Sequence, residues 1–202
     1  HDEVANGKAR IPEEIEPGEA DSAFAKKRSI LGAVLTLTAP GIPMIFQGQE
    51  FLEDEYFVDD EELDWSRFSD FKGITKLYRD LIKLRSIPEE NNTFGLIGHQ
   101  LDVVHFNNET KILAYTRTHK DHTEKPTLVV LNFSSTVYEN YKIGNPKMAD
   151  FKTLFNSTCK GYDDADFETV ETDLTLIENE PCDNAEHSLS FSIDSYAALV
   201  IV

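Results

Sequence analysis

Gly41-Ile42-Pro43-Met44-Ile45-Phe46-Gln47-Gly48-Gln49-Glu50 sets a short apolar run between two helical patterns. Residues 42–46 read as a strand buried on both faces, as in a parallel sheet. Upstream, Phe24, Ala25, Ile30, Leu31, Val34 and Leu35 recur at helical spacing, with Asp21 or Ser22 as the cap and Pro40-Gly41 as the stop. Downstream, a second helix is predicted from Ser69-Asp70. Its apolar face is Phe71, Ile74, Leu77, Tyr78, Leu81 and Ile82, and Ile87-Pro88 ends it. Helix, parallel-type strand, long loop and helix make a fragment of an α/β fold. One buried strand without neighbours leaves backbone groups unsatisfied, so residues 1–91 are expected to need further partners.

Past Asn91-Asn92 the apolar period changes to two. Residues 101–107, 111–118, 127–133, 137–143, 151–155, 188–193 and 196–202 read as strands, with Asn107-Asn108 and Asp194-Ser195 as hairpin turns. Short strands at this spacing predict an antiparallel β-sandwich over residues 92–202. Residues 161–186 hold ten acidic and no basic residues, and read as a solvated excursion.

The net charge of −18 disfavours nucleic acid and anionic membrane surfaces, both polyanions. It suits a neutral partner such as a sugar polymer. No apolar run approaches the roughly 20 residues of a membrane span. Cys159 and Cys182 show no metal or redox spacing and are read as free buried thiols. His119 and His122 lie in a polar turn and are expected to be exposed. Residues 50–64 carry nine acidic and no basic residues and read as a solvated loop; no cofactor or metal is expected.

The chemistry concentrates in three places: His1-Asp2-Glu3-Val4 with Gly7-Lys8, the end of the apolar run at Glu50, and Leu63-Asp64-Trp65. An active-site pattern at the first residue implies supporting structure before it, so the chain is read as the C-terminal part of a larger enzyme. Glu50 follows the C-terminal end of a predicted barrel-type strand, the edge that holds active sites in barrels. His1 and Asp2 precede the first long helix and are expected at the same edge. Asp2 and Glu50 are therefore expected to face one cleft, with Trp65 offering a flat apolar face to a sugar ring.

His1-Asp2-Glu3-Val4-x-x-Gly7-Lys8 resembles the last active-site block of the α-amylase superfamily in its 1,4-α-glucan (glycogen) branching enzyme form. Gly41-x-Pro43-x-x-Phe46-x-Gly48-x-Glu50-Phe51 resembles the eighth-strand motif of that superfamily, and Leu63-Asp64-Trp65 a branching-enzyme stretch that follows it. The resemblance implies the last units of a TIM-type (β/α)8 barrel over residues 1–91, followed by a C-terminal all-β antiparallel sandwich over residues 92–202. It implies retaining transglycosylation from α-1,4 to α-1,6 linkages on glycogen, starch or maltooligosaccharides, in the cytoplasm. Asp2 would be the catalytic carboxylate that steadies the oxocarbenium-like transition state; His1, Glu3, Glu50 and Trp65 would bind substrate. The nucleophile and acid/base of that family have no counterparts in these 202 residues, so the isolated chain is expected to be inactive and, with its open edges, to self-associate. An α-amylase-type hydrolase and a non-catalytic carbohydrate-binding or structural β-domain stay open.

Overall fold

A computed structural model describes residues 2–146, 148, 150–163 and 165–202. Helices α1 (Asp2–Ala5) and α2 (Ile11–Ile15) are single turns, whereas α3 (Ala23–Thr38) and α5 (Lys72–Ser86) are long, with α4 (Trp65–Asp70) leading into α5. Ser22 caps α3, its hydroxyl accepting from the Ala25 N–H at 3.0 Å. The second predicted helix starts earlier than expected. Asp64 caps it by accepting from the Ser66 N–H at 2.9 Å, and Phe71 then breaks it into α4 and α5. On α5 the buried stripe is Ile74, Leu77, Tyr78, Leu81 and Leu84; Ile82 faces solvent, because helical spacing from Leu77 and Leu81 leads to Leu84.

Residues 42–46 do not form the predicted buried strand. They pair with no strand among the described residues, and Ile42 is 99% exposed. A strand is stabilised through its neighbours' backbone groups, and none lies beside this run. Ile45 still packs on the core from one side.

The seven predicted strands are all present, as β1 (Gln100–Asn107), β2 (Ile112–Thr118), β3 (Thr127–Asn132), β4 (Tyr138–Gly144), β5 (Thr153–Asn156), β7 (Ser188–Ile193) and β8 (Ala198–Ile201). An eighth, β6 (Thr175–Ile177), lies inside the supposed acidic excursion and pairs antiparallel with β7. Two sheets result, ordered β1-β2-β3-β8-β5 and β4-β7-β6. Asp194-Ser195 is not a hairpin turn: β7 belongs to the small sheet and β8 to the large one, so the chain crosses between layers there. At the other predicted turn, Asn107 Oδ1 accepts from the Glu109 and Thr110 N–H groups, closing the loop between β1 and β2.

Alternation along the central strands builds two cores. Ile112, Ala114, Leu128, Val130, Leu199 and Ile201 face the small sheet, where they meet Ile143, Leu189, Phe191 and Ile193. Tyr115, Val129, Leu131, Ala198 and Val200 face the other way, against Ile30, Val34 and Leu37 of α3 and Leu77, Tyr78 and Leu81 of α5. The large sheet is thus covered on both faces, which is why β3 reads as a continuous apolar run. One core spans the division expected at residues 91 and 92.

Two arginines lock this arrangement. Arg85 on α5 donates to the carbonyls of Leu37 and Ala39 at 2.8 Å and to that of Gly41. Arg117 on β2 is fully buried and donates to the carbonyls of Thr38, Leu96, Gly98 and Gln100. Burial, then the nearby charge of Arg85, holds the Arg117 guanidinium below its usual value, with Tyr115 acting the other way. The acidic segment is also anchored. Lys26 on α3 is buried and paired with Asp163, at 2.6 Å, and with Asp166. Gly73 of α5 lies so close to the Tyr162 carbonyl that a Cβ there would come within 2.1 Å of the oxygen. Cys159 and Cys182 are free thiols and half-buried rather than buried. His122, expected in solvent, stacks on Phe94 with ring centroids 3.9 Å apart.

Replacing Arg117 with Met leaves four carbonyl oxygens without their donor. Urea unfolding followed by circular dichroism is expected to show a loss of at least about 3 kcal/mol. Lys26 gives a pH signature. Burial lowers its pKa, but the hydrogen bonds and charges of Asp163 and Asp166 outweigh burial, and the net value is raised above 10.5. Its contribution is therefore fully present below 10.5 and is lost as pH climbs through the higher folded value. The stability gap between wild type and Lys26→Met should hold from neutral pH up to 10.5 and shrink above it; a gap that widens in alkali contradicts the pairing.

Candidate functional site

Residues 2–16 fold back on themselves before α3. The Gly7 and Lys8 N–H groups donate to the Val4 and Glu3 carbonyls, closing α1. Arg10 then adopts an extended backbone ahead of α2, where Pro12 suits the first turn because its missing N–H would be unpaired there. The Arg10 side chain is buried, lies 5.0 Å from the Phe46 ring centre, and donates to the Gln47 carbonyl at 2.6 Å. Burial lowers its pKa, and the carboxylates of Glu53 and Asp54 oppose that shift.

Residues 46–53 form a tight reversal around a 3-10 turn, Gln49–Phe51. Gln49 N donates to the Phe46 carbonyl, its side-chain Oε1 accepts from Phe46 N at 3.1 Å, and Glu53 N returns to the Gly48 carbonyl at 3.0 Å. Gly48 has φ +85°, and a Cβ there would lie 2.6 Å from Glu53 Cβ. Buried Glu53 accepts from the N–H groups of Asp64, at 2.8 Å, and Glu55, and so staples the acidic loop at both ends. Arg67 holds the loop from below, donating to the Leu52 carbonyl and pairing with Asp21 and Asp54. At Asp54 burial raises the pKa; Arg67 opposes this, while Asp21 and Glu53 add to it.

Between these two segments lies a cavity of about 310 Å³. Glu3, Val4, Lys8 and Arg10 line it from one side, and Met44, Phe46, Gln49 and Glu53 from the other. The opening block and the end of the apolar run each contribute residues to this cavity, but neither Asp2 nor Glu50, which were expected to face one cleft, lines it. The individual residues are arranged differently. His1 lies outside the described residues. Asp2 sits exposed at the start of α1, on a helical turn rather than a strand end, and does not line the cavity. Glu3 does line it. Glu50 does not: it is half-buried, and its Oε2 is enclosed with no hydrogen-bond partner among the described residues. Trp65 opens α4, 60% exposed, with its ring tilted on Phe51 at 5.4 Å. Arg10 and Glu53 were not singled out from sequence. Both lie in stretches without a motif, and their position is set by the fold alone.

A wider groove of about 660 Å³ lies on the β-rich part, between β1 and the turn at Asp183-Asn184. Buried His105 crosses it, bonding Asp183 Oδ2 at 2.8 Å and the Tyr141 hydroxyl at 2.9 Å.

Gly48→Ala meets two obstacles, a left-handed backbone and overlap with Glu53. It is expected to cost about 1–3 kcal/mol, read as a lower midpoint of thermal unfolding.

The model of the family "Alpha amylase, C-terminal all-beta domain" matches residues 103–202. A 1,4-alpha-glucan branching enzyme GlgB of Rhodopseudomonas palustris is 33% identical over 173 residues, covering 80% of this chain and 22% of that protein. The GlgB of Bacillus cereus is 30% identical over 166 residues, covering 80% and 25%. The chain thus spans about a quarter of the length of the curated relatives it matches. Among solved structures, a Nostoc punctiforme debranching enzyme superposes with a TM-score of 0.61 at 15% identity, over 96% of this chain and 33% of that one. A pullulanase from Bacillus acidopullulyticus gives 0.55 at 14% identity, over 96% and 22%. At those identities the two structures show a shared fold.

Proposed function

Residues 103–202 belong to the alpha amylase C-terminal all-beta domain family, which makes the chain a member of the α-amylase superfamily, and on that premise we propose that it is the C-terminal part of a 1,4-α-glucan branching enzyme. The observation that carries this reading is the extent of the similarity to the branching enzymes. It covers four fifths of the chain, and so reaches well into the helical part, because residues 103–202 make up only half. The cavity between residues 3–14 and 44–53 supports it, since the two motif-bearing stretches lie against each other.

In this reading residues 1–91 are the last units of a (β/α)8 barrel, and the exposed run at residues 42–46 is its eighth strand, awaiting neighbours. Ile42 and Met44 are then the surface through which the isolated chain self-associates. The reaction transfers a glucan segment from an α-1,4 to an α-1,6 linkage with retention at the anomeric carbon, in the cytoplasm. Retention uses a nucleophile and an acid/base about 5–5.5 Å apart. Neither is assigned in this chain, so the 202 residues alone turn over no glucan. Asp2, with His1 beside it, holds the hydroxyls of the sugar at the cleavage point, and these contacts tighten as the ring flattens toward the transition state. Glu3 lines the cavity between residues 3–14 and 44–53, and Trp65 presents its face to a neighbouring sugar. A neutral polyol suits a chain of net charge −18, which would repel polyanions.

Amylose treated with the intact enzyme should lose iodine absorbance without gaining reducing ends. New reducing ends instead identify a hydrolase, and glycogen binding without either change identifies a non-catalytic module. Asp2→Asn in that enzyme should lower turnover by about 10³-fold or more while the unfolding midpoint stays put. Near-normal turnover removes Asp2 from the mechanism.

A further inference from the structure

Two enclosed polar atoms, one on α5 and one on the Gln49–Phe51 turn, stand without partners among the described residues. Tyr78 on α5 is 2% exposed, and its hydroxyl has no hydrogen-bond partner among the described residues. Glu50 Oε2 is likewise enclosed and unpartnered. The elements that carry them are tied together. Thr75, one helical turn before Tyr78, donates its hydroxyl to the Glu50 carbonyl at 3.2 Å, which ties the Gln49–Phe51 turn to α5. Burial pushes the Tyr78 phenol well above its usual value; the Gln49 side chain, which approaches without an aligned bond, opposes this, and the Glu50 charge adds to it. A buried phenol and a buried carboxylate oxygen are each costly when unpaired. A single water with two such partners in reach satisfies both.

We propose that Glu50 and Tyr78 share one buried water beneath the Gln49–Phe51 turn, and that this linked pair fixes the turn from which Phe46, Gln49 and Glu53 line the cavity. Glu50 is then a positioning residue that acts on the cavity through its backbone, not a sugar ligand. Its effect on catalysis rests on the branching-enzyme reading; the buried pair itself does not.

The test is a double-mutant cycle with Tyr78→Phe and Glu50→Leu, read first by thermal unfolding of the 202-residue chain. Removing a hydroxyl that binds nothing raises stability, whereas removing one that holds a water lowers it. Each single substitution is expected to lower the midpoint by about 2–4 °C. The double substitution should lower it by clearly less than the sum, because it removes both partners together. A higher midpoint for Tyr78→Phe, or additive losses, overturns the proposal. The second readout is amylose branching by the enzyme that carries this chain. Tyr78→Phe should lower kcat by about tenfold with KM little changed, and Glu50→Gln, which keeps an acceptor for the water, should restore most of the activity lost in Glu50→Leu. A raised KM in Glu50→Gln together with full activity in Tyr78→Phe identifies Glu50 as a sugar ligand and overturns the positioning role. Coupled unfolding in a chain whose wild-type enzyme branches nothing upholds the buried pair and rejects the branching-enzyme reading.

Discussion

The C-terminal end of α3 governs how the two halves of this chain meet. The last carbonyls of a helix have no partner within it and carry the negative end of its dipole. Here Leu37, Thr38 and Ala39 receive their donors from two guanidinium groups, Arg85 from the following long helix and Arg117 from a strand. Arg117 also binds the carbonyls of Leu96, Gly98 and Gln100, so the same side chain fixes where the first strand begins. No carboxylate takes part in these bonds. A planar fork with five donors can satisfy several carbonyls at once, which an ammonium group cannot do with the same geometry. The segment that leads to the cavity leaves from this point, with Gly41 held by Arg85.

Strands were legible wherever one residue in two was apolar. All seven periodic stretches past Asn92 are strands, with ends shifted by a residue or two. Sheet membership was not legible. Asp194-Ser195 has turn chemistry, but a turn does not encode whether the next strand joins the same layer. β6 was hidden because its flanks are acidic, and it is held by pairing with β7 rather than by its own pattern. Residues 42–46 depart from the expectation for another reason. Apolar β-branched and aromatic residues make a good strand only when neighbouring strands take up their backbone bonds, and this run has none.

At the site, Asp2 and Glu50, the two residues read as facing one cleft, do not line the cavity. Glu3 and the end of the apolar run do line a common cavity. Arg10 and Glu53 are buried there by folding, and no spacing announces them. Glu50 sits in a 3-10 turn whose backbone is tied to α5 and one of its carboxylate oxygens is enclosed, neither of which a motif match can convey.

The large sheet contributes to a core on each face, and one of those cores includes α3 and α5. Helices and sheet therefore share one core, and a shift of either would disturb the packing of both. The acidic loop between Glu53 and Asp64 contributes no residue to that core and depends on one carboxylate, which holds it at both ends.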